Sequence, residues 1–153
     1  MIILKDTREK KGWDFSFYDV ETSVGTIKYG DYTTEKLKDI AIIERKASPA
    51  ELAGNLGKKL NKERFYRELE QLKQFKHAYI VCEFPEVDIY EYPSVKTGVP
   101  KSKIKYCRMN GAYIRKLLYK IEEEFELEVI FCNNKQAAEK YALNLFKELE
   151  ERY

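Results

Sequence analysis

Histidine is nearly absent from this sequence: His77 stands alone, and the three cysteines, Cys82, Cys107 and Cys132, are odd in number and widely spaced. These residues make no zinc-site spacing. They point to reduced, mostly buried thiols in an intracellular protein, whether of cytoplasm, nucleus or nucleoid. Long apolar runs are missing too. None approaches the roughly 18 residues of a membrane span, so no membrane partner is expected. The opening MIILKDTREKKG meets charge after four apolar residues and does not read as a secretory signal. An excess of one charge is also lacking. A formal charge of +2 excludes a generally basic nucleic-acid binder, so any such contact must come from a local basic patch. There is no internal repeat, low-complexity stretch or domain boundary, and residues 1–153 read as one domain with its own core.

What the chain has is charge of both signs, 35% of its residues, together with twelve tyrosines and eight phenylalanines. Most of these aromatics belong in core or sheet, leaving a minority to stack on bases. The organising stretch runs from Tyr29 to Lys46, YGDYTTEKLKDIAIIERK. A β-prone run holding Gly30-Asp31 leads into a charged turn at Glu35–Asp39. The apolar run Ile40-Ala41-Ile42-Ile43 then enters Glu44-Arg45-Lys46 directly. Strand alternation places Glu44 and Lys46 on one face and Arg45 on the other. With the turn centred between Leu37 and Lys38, an antiparallel hairpin sets Asp31 opposite Glu44. Two carboxylates and a lysine then converge at one end of a small sheet. Mg²⁺ takes one or two protein carboxylates with water and substrate phosphates, so this is the outline of a metal-dependent phosphodiesterase. In a chain this charged a Glu-x-Lys triplet is common, Glu9-Lys10-Lys11 being another. A hairpin that simply ends in solvated charges accounts for the same residues.

Taken in order, Ile2-Ile3-Leu4 is a short buried strand that delivers Asp6-Thr7-Arg8-Glu9 at its end, a favoured place for chemistry in an α/β sheet. Trp13, Phe15 and Phe17 alternate, as in an extended segment laying aromatics on the core. Val24 to Thr33 is expected as the first strand of the central hairpin. Ser48-Pro49 signals a helix start. Gly54, Asn55 and Gly57 weaken that helix and lead to Lys58, Lys59 and Lys62, a small-residue, lysine-rich loop suited to a sugar-phosphate backbone or simply to solvent. Helical periodicity returns from Lys62 to Lys76, with Phe65, Leu69, Leu72 and Phe75 inward and Arg64, Arg67 and Glu68 polar. Ala78 to Phe84 reads as a buried strand. Pro85 to Asn110 is the least regular segment, first acidic, then basic with Lys96, Lys101, Lys103, Lys105 and Arg108 beside Tyr90, Tyr92 and Tyr106. Pro93, Gly98 and Pro100 mark turns, so a hairpin or lid is expected that either contacts DNA or stands free in solvent. Helix (Ala112–Phe125), strand (Leu127–Cys132) and a helix capped by Asn133 or Asn134 close the chain. The order implies an α/β sandwich on a mixed sheet.

These residues carry a resemblance. The chain resembles the nuclease domain of XPF-type structure-specific endonucleases, the ERCC-four family that includes archaeal Hef nucleases, within the PD-(D/E)XK superfold. The matching pieces are Asp6-Thr7-Arg8-Glu9, Gly30-Asp31-Tyr32 and Ile43-Glu44-Arg45-Lys46, then Glu51-Leu52-Ala53-Gly54-Asn55-Leu56, Arg64-Phe65-Tyr66, Glu83-Phe84 and the closing strand and helix. They cover nearly the whole chain in order. The family's acidic residue after Glu-Arg-Lys is usually Asp; here Glu51 stands one position later. Glu68 occupies a position where many members carry Gln. The Lys-rich loop and the Pro85–Asn110 excursion are larger than is usual, and the chain carries no helicase or helix-hairpin-helix module.

The resemblance implies a restriction-endonuclease-like mixed sheet flanked by helices, with an inserted basic loop or hairpin at 85–110. It implies a Mg²⁺- or Mn²⁺-dependent DNA endonuclease acting on branched, flap or junction DNA, and a homodimer. The implied metal ligands are Asp31, Glu44, the Arg45 carbonyl and Asp6, with Lys46 activating water. Arg8, Arg45, Glu9 and Glu51 support them, and Lys58, Lys59, Lys62, Arg64, Lys101, Lys103, Lys105 and Arg108 hold DNA. The alternatives are a non-catalytic DNA-binding scaffold of the same fold and an interaction protein with a decorated hairpin.

Overall fold

Apolar alternation forms strands wherever both faces can be covered. In the computed structural model, which describes residues 1–153, the strands are β1 (Ile2–Asp6), β2 (Glu21–Gly25), β3 (Tyr32–Thr34), β4 (Ala41–Lys46), β5 (His77–Cys82) and β6 (Glu128–Phe131). They make one sheet of order β2-β1-β3-β4-β5-β6. The three central neighbours β1, β3 and β4 pair antiparallel, while β2 joins β1, β5 joins β4 and β6 joins β5 in parallel. The sheet is therefore mixed, and helices cover both faces.

On one face pack α1 (Pro49–Gly57), α2 (Lys59–Leu72) and α4 (Gly111–Phe125), whose Leu52, Phe65, Leu69, Ile114 and Leu118 meet Ile42 and Ile80. On the other, α5 (Lys135–Arg152) lays Ala142, Leu143, Phe146 and Leu149 against Ile3, Ile43 and Val81, with Trp13 and Phe15 filling the remainder. Ser48 caps α1 by accepting from the Glu51 N–H, Asn110 caps α4 and Asn134 caps α5. No helix is long and apolar enough to cross a membrane.

Several expected elements take another form. Val24–Thr33 is not one strand. β2 ends at Gly25, residues 26–31 cross over the end of β1, and β3 begins at Tyr32 on its far side. The left-handed Gly30, at φ +88°, makes the final turn into β3. Phe17 is exposed, because the chain reverses at Phe15 (φ 56°) and only Trp13 and Phe15 turn inward. The glycines at 54 and 57 do not break α1, which runs to Gly57 and turns a corner at Lys58 into α2, so that helix starts at Lys59 and not at Lys62.

The Pro85–Asn110 excursion holds no strand. It consists of α3 (Glu86–Tyr90), a turn and a 3-10 helix (Lys101–Tyr106). It is packed rather than free: Thr97 and Val99 are buried, and the Thr97 carbonyl accepts from the Ala50 N–H at the start of α1 (3.0 Å). Buried Arg115 of α4 ties its root by pairing with Glu86 at 3.0 Å and stacking on Tyr119 at 3.6 Å. Lys96 spends its charge on Asp88 and Glu91.

Gly30 sets how Asp31 enters β3. A Cβ there would collide with Cγ1 of Ile42, and the backbone is left-handed. Gly30→Ala is expected to lower unfolding free energy by about 2 kcal/mol or more, read from a urea denaturation midpoint.

Candidate active site

The β3–β4 register carries the site. Tyr32 stands opposite Ile43, and the N–H of Asp31, just before β3, donates to the Ile43 carbonyl (2.9 Å), which brings Asp31 beside the end of β4. The Arg45 N–H in turn donates to Asp31 Oδ2 at 2.8 Å. Ile42 faces the α1/α2 core, so Glu44 and Lys46 emerge on that side, with Lys46 Nζ 3.6 Å from Glu44 Oε1 and 5.0 Å from the Phe65 ring centroid. Lys46 is only 4% exposed, and its ammonium stands between Glu44 and Glu51, the latter at 3.9 Å. Glu51 also accepts from the Ala47 N–H (2.7 Å), joining the end of β4 to the start of α1.

Arg45 turns to the opposite face. Its guanidinium donates to Glu9 at 2.8 Å and to Glu83 at 3.0 Å, while Glu83 accepts from the Trp13 indole at 2.7 Å. This clamp joins the segment after β1, the end of β4 and the end of β5. The Tyr32 hydroxyl, accepting from the Trp13 N–H at 2.7 Å, ties β3 into it.

Asp31 and Glu44 line a cleft of about 200 Å³, with Arg8, Glu9 and Glu68 also on its wall. Burial, then the charges of Glu44 and Glu9, pushes Asp31 up to about 9. Burial likewise raises Glu44; Lys46 opposes this, and Glu68, Glu9 and Glu51 add to it. One ammonium does not balance two desolvated carboxylates, so the ionised form of the pair is disfavoured, and a bound cation would favour it. No three acidic, cysteine or histidine side chains form a ready-made metal cage. A hard cation that keeps part of its water shell requires only such a pair, and in that sense the donor set fits Mg²⁺ or Mn²⁺.

Asp6 is fully buried and is not part of the cleft wall. Its carboxylate accepts from the Ile27 N–H (2.8 Å) and from the backbone and Nε of Arg8. Burial opposes its ionisation, but these hydrogen bonds prevail and hold it below the ordinary carboxylate value. It therefore anchors the 26–31 crossover and aims Arg8, which is exposed at the cleft rim and also donates to the Ile27 carbonyl.

Of the basic residues, Lys58, Lys103 and Arg108 line one groove between α1 and the 3-10 helix. Arg64 lines a second cleft with Glu51, Asn61 and Glu68. Lys59, Lys101 and Lys105 are exposed beside these, and Lys62 lies over Tyr66. Glu68, a polar member of α2 at the position where many family members carry Gln, reaches the cleft wall. Its signal was position: it is three residues after Phe65 and four before Leu72, on the margin of the buried stripe. Glu83 as the floor of the Arg45 clamp had no local signal, because Arg45 and Trp13 reach it from distant segments.

The ERCC4 domain matches residues 5–145 of the chain. The chain belongs to the ERCC4-domain family. Two solved structures of XPF from Aeropyrum pernix share the fold of this ERCC4 domain. One superposes with a TM-score of 0.68 at 15% identity, covering 96% of this chain and 60% of that one. The other, a complex with DNA, gives 0.69 at 15% identity, covering 99% and 66%. The chain thus spans three fifths to two thirds of those proteins' length. No curated protein matches the sequence.

The raised carboxylate gives a sign for pH dependence. The unfolded chain releases the Asp31 proton near the ordinary value of about 4, whereas the folded, cation-free domain keeps it to about 9. The folded state binds more protons in that window, so the stability this group contributes is full below about pH 4 and is lost as pH rises towards 9. Melting temperatures in EDTA should fall from about pH 5 to about pH 9, and Asp31→Asn should flatten the fall. Equal slopes for the two proteins would show that Asp31 is ordinary.

Proposed function

We propose that this ERCC4 domain is a Mg²⁺- or Mn²⁺-dependent DNA endonuclease acting on branched, flap or junction DNA. The observation that carries this is the half-buried Asp31–Glu44 pair lining one cleft, with the Lys46 ammonium 3.6 Å from Glu44, at the end of β4. Membership in a nuclease family supports it, and the XPF–DNA complex supports a nucleic-acid ligand.

In this proposal Asp31 and Glu44 hold the cation, with the Arg45 carbonyl as a further donor. A bound divalent cation supplies Lewis-acid charge to the phosphoryl oxygens and acidifies the attacking water. Lys46 orients that water and balances the charge that builds on phosphate. Water oxygen attacks phosphorus in line, the bond to the 3′ oxygen breaks, and the products are a 5′-phosphate and a 3′-hydroxyl. Arg8 at the rim neutralises the phosphate. Asp6 acts through Arg8 and the crossover loop, Arg45 and Glu9 through the clamp, and Glu51 through Lys46. Lys58, Lys59, Lys62, Arg64, Lys101, Lys103, Lys105 and Arg108 track the DNA backbone, and specificity for distorted DNA rests on this surface.

Cleavage of labelled single strand, duplex, flap, fork and four-way junction, with Mg²⁺, Mn²⁺ or EDTA, tests the proposal. Asp31→Asn and Lys46→Ala are each expected to slow cutting by at least about a hundredfold. Asp31→Asn should do so with folding and DNA binding retained; binding without cutting under every metal would replace the nuclease by a scaffold of the same fold. Neutralising Lys101, Lys103 and Lys105 together should lower the slope of log affinity against log salt by about 2 to 3. An unchanged slope would take the excursion off the DNA.

A further inference from the structure

The groove between α1 and the 3-10 helix has a volume of about 770 Å³ and takes no part in the chemistry above. Its floor is one face of α1, formed by Ala50, Ala53, Gly54 and Gly57 at helical spacing. Glycine inside a helix is destabilising relative to alanine, so its presence asks for a reason. Packing does not provide one at Gly54, where a Cβ would meet nothing within 4 Å. At Gly57 it would reach only the Met109 sulfur at 3.4 Å, an ordinary contact. The two glycines leave open floor.

The walls have one sign of charge. Lys58 comes from the α1–α2 corner and Lys103 and Arg108 from the excursion, and no carboxylate lines the groove. Tyr106 stands at its edge, 71% exposed, with Lys105 Nζ 5.2 Å from the ring centroid. Cations that neutralise phosphate, with an exposed aromatic beside them, match single-stranded nucleic acid, whose bases are free to stack. The groove also leads to the carboxylates: the cleft holding Arg64 shares Gly54 and Asn61 with this groove and Glu68 with the Asp31–Glu44 cleft.

We propose that this groove binds an unpaired strand of the substrate. Phosphates lie along Lys58, Lys103 and Arg108, and bases stack on Tyr106 and against the glycine floor. That the strand belongs to a substrate rests on the nuclease proposal; the binding itself requires neither metal nor cleavage.

The test is fluorescence anisotropy in EDTA with labelled oligothymidylate and a blunt duplex of equal length, alongside thermal melts. Wild type, Gly54→Leu and Tyr106→Ala are compared. Gly54→Leu projects into the groove from a site where an added Cβ meets nothing within 4 Å, and the melts check that the protein stays folded. It should weaken oligothymidylate binding about tenfold, in the range of one lost base stack, and duplex binding by less than about twofold. Tyr106→Ala should act in the same direction. Unaltered oligothymidylate affinity in Gly54→Leu, an equal loss on the duplex, or no binding of oligothymidylate by wild type overturns the groove. A protein that binds the oligonucleotide this way yet cuts nothing keeps the groove and loses the nuclease.

Discussion

The pairing of Tyr32 with Ile43 is the constraint on which the rest depends. A strand shifted by one residue turns every side chain to the other face. Such a slip would send Glu44 and Lys46 into the Trp13–Tyr32 cluster and take Arg45 away from Glu9 and Glu83. The register is held from both ends. At one end Leu37 is buried in the turn and the Thr33 hydroxyl donates to the Ala41 carbonyl at 2.7 Å. At the other, the Arg45 N–H closes on Asp31. The carboxylate pair is desolvated because this register leaves it no alternative.

How much of this the sequence discloses depends on how local each determinant is. The hairpin register, the face taken by Glu44 and Lys46, the Ser48 cap and a cap at Asn133 or Asn134, which falls to Asn134, follow from alternation, capping chemistry and turn position. Each of those is decided within a few residues. The crossover at 26–31 is not legible, since a β-prone run continues through it and the groups that hold the turn, the Asp6 carboxylate and Arg8, lie about twenty residues earlier in the chain. The excursion misleads for a related reason. Its prolines and glycine mark turns, but whether turns join strands or short helices depends on what lies beneath them, here the start of α1 and Arg115 of α4.

Asp6 shows the same distinction within the site. Strand end, acidic residue and neighbouring arginine make it look like a member of the metal cluster. The structure gives its oxygens to Ile27 and Arg8, so its ionised form is stabilised while those of Asp31 and Glu44 are penalised. Carboxylates that look alike in sequence are separated by their donors, with several N–H groups favouring the ionised form of Asp6 and their scarcity disfavouring it at Asp31 and Glu44.

The Arg45 clamp makes the two faces of the sheet one mechanical unit. Its backbone N–H fixes Asp31, while its guanidinium is bolted to Glu9 and Glu83 among the aromatics that α5 covers. A substitution beneath α5, on the face opposite Glu44 and Lys46, therefore reaches the carboxylates through a single residue. Changes at Trp13, Tyr32 and Glu83 accordingly act on the Asp31–Glu44 cleft from the far face of the sheet.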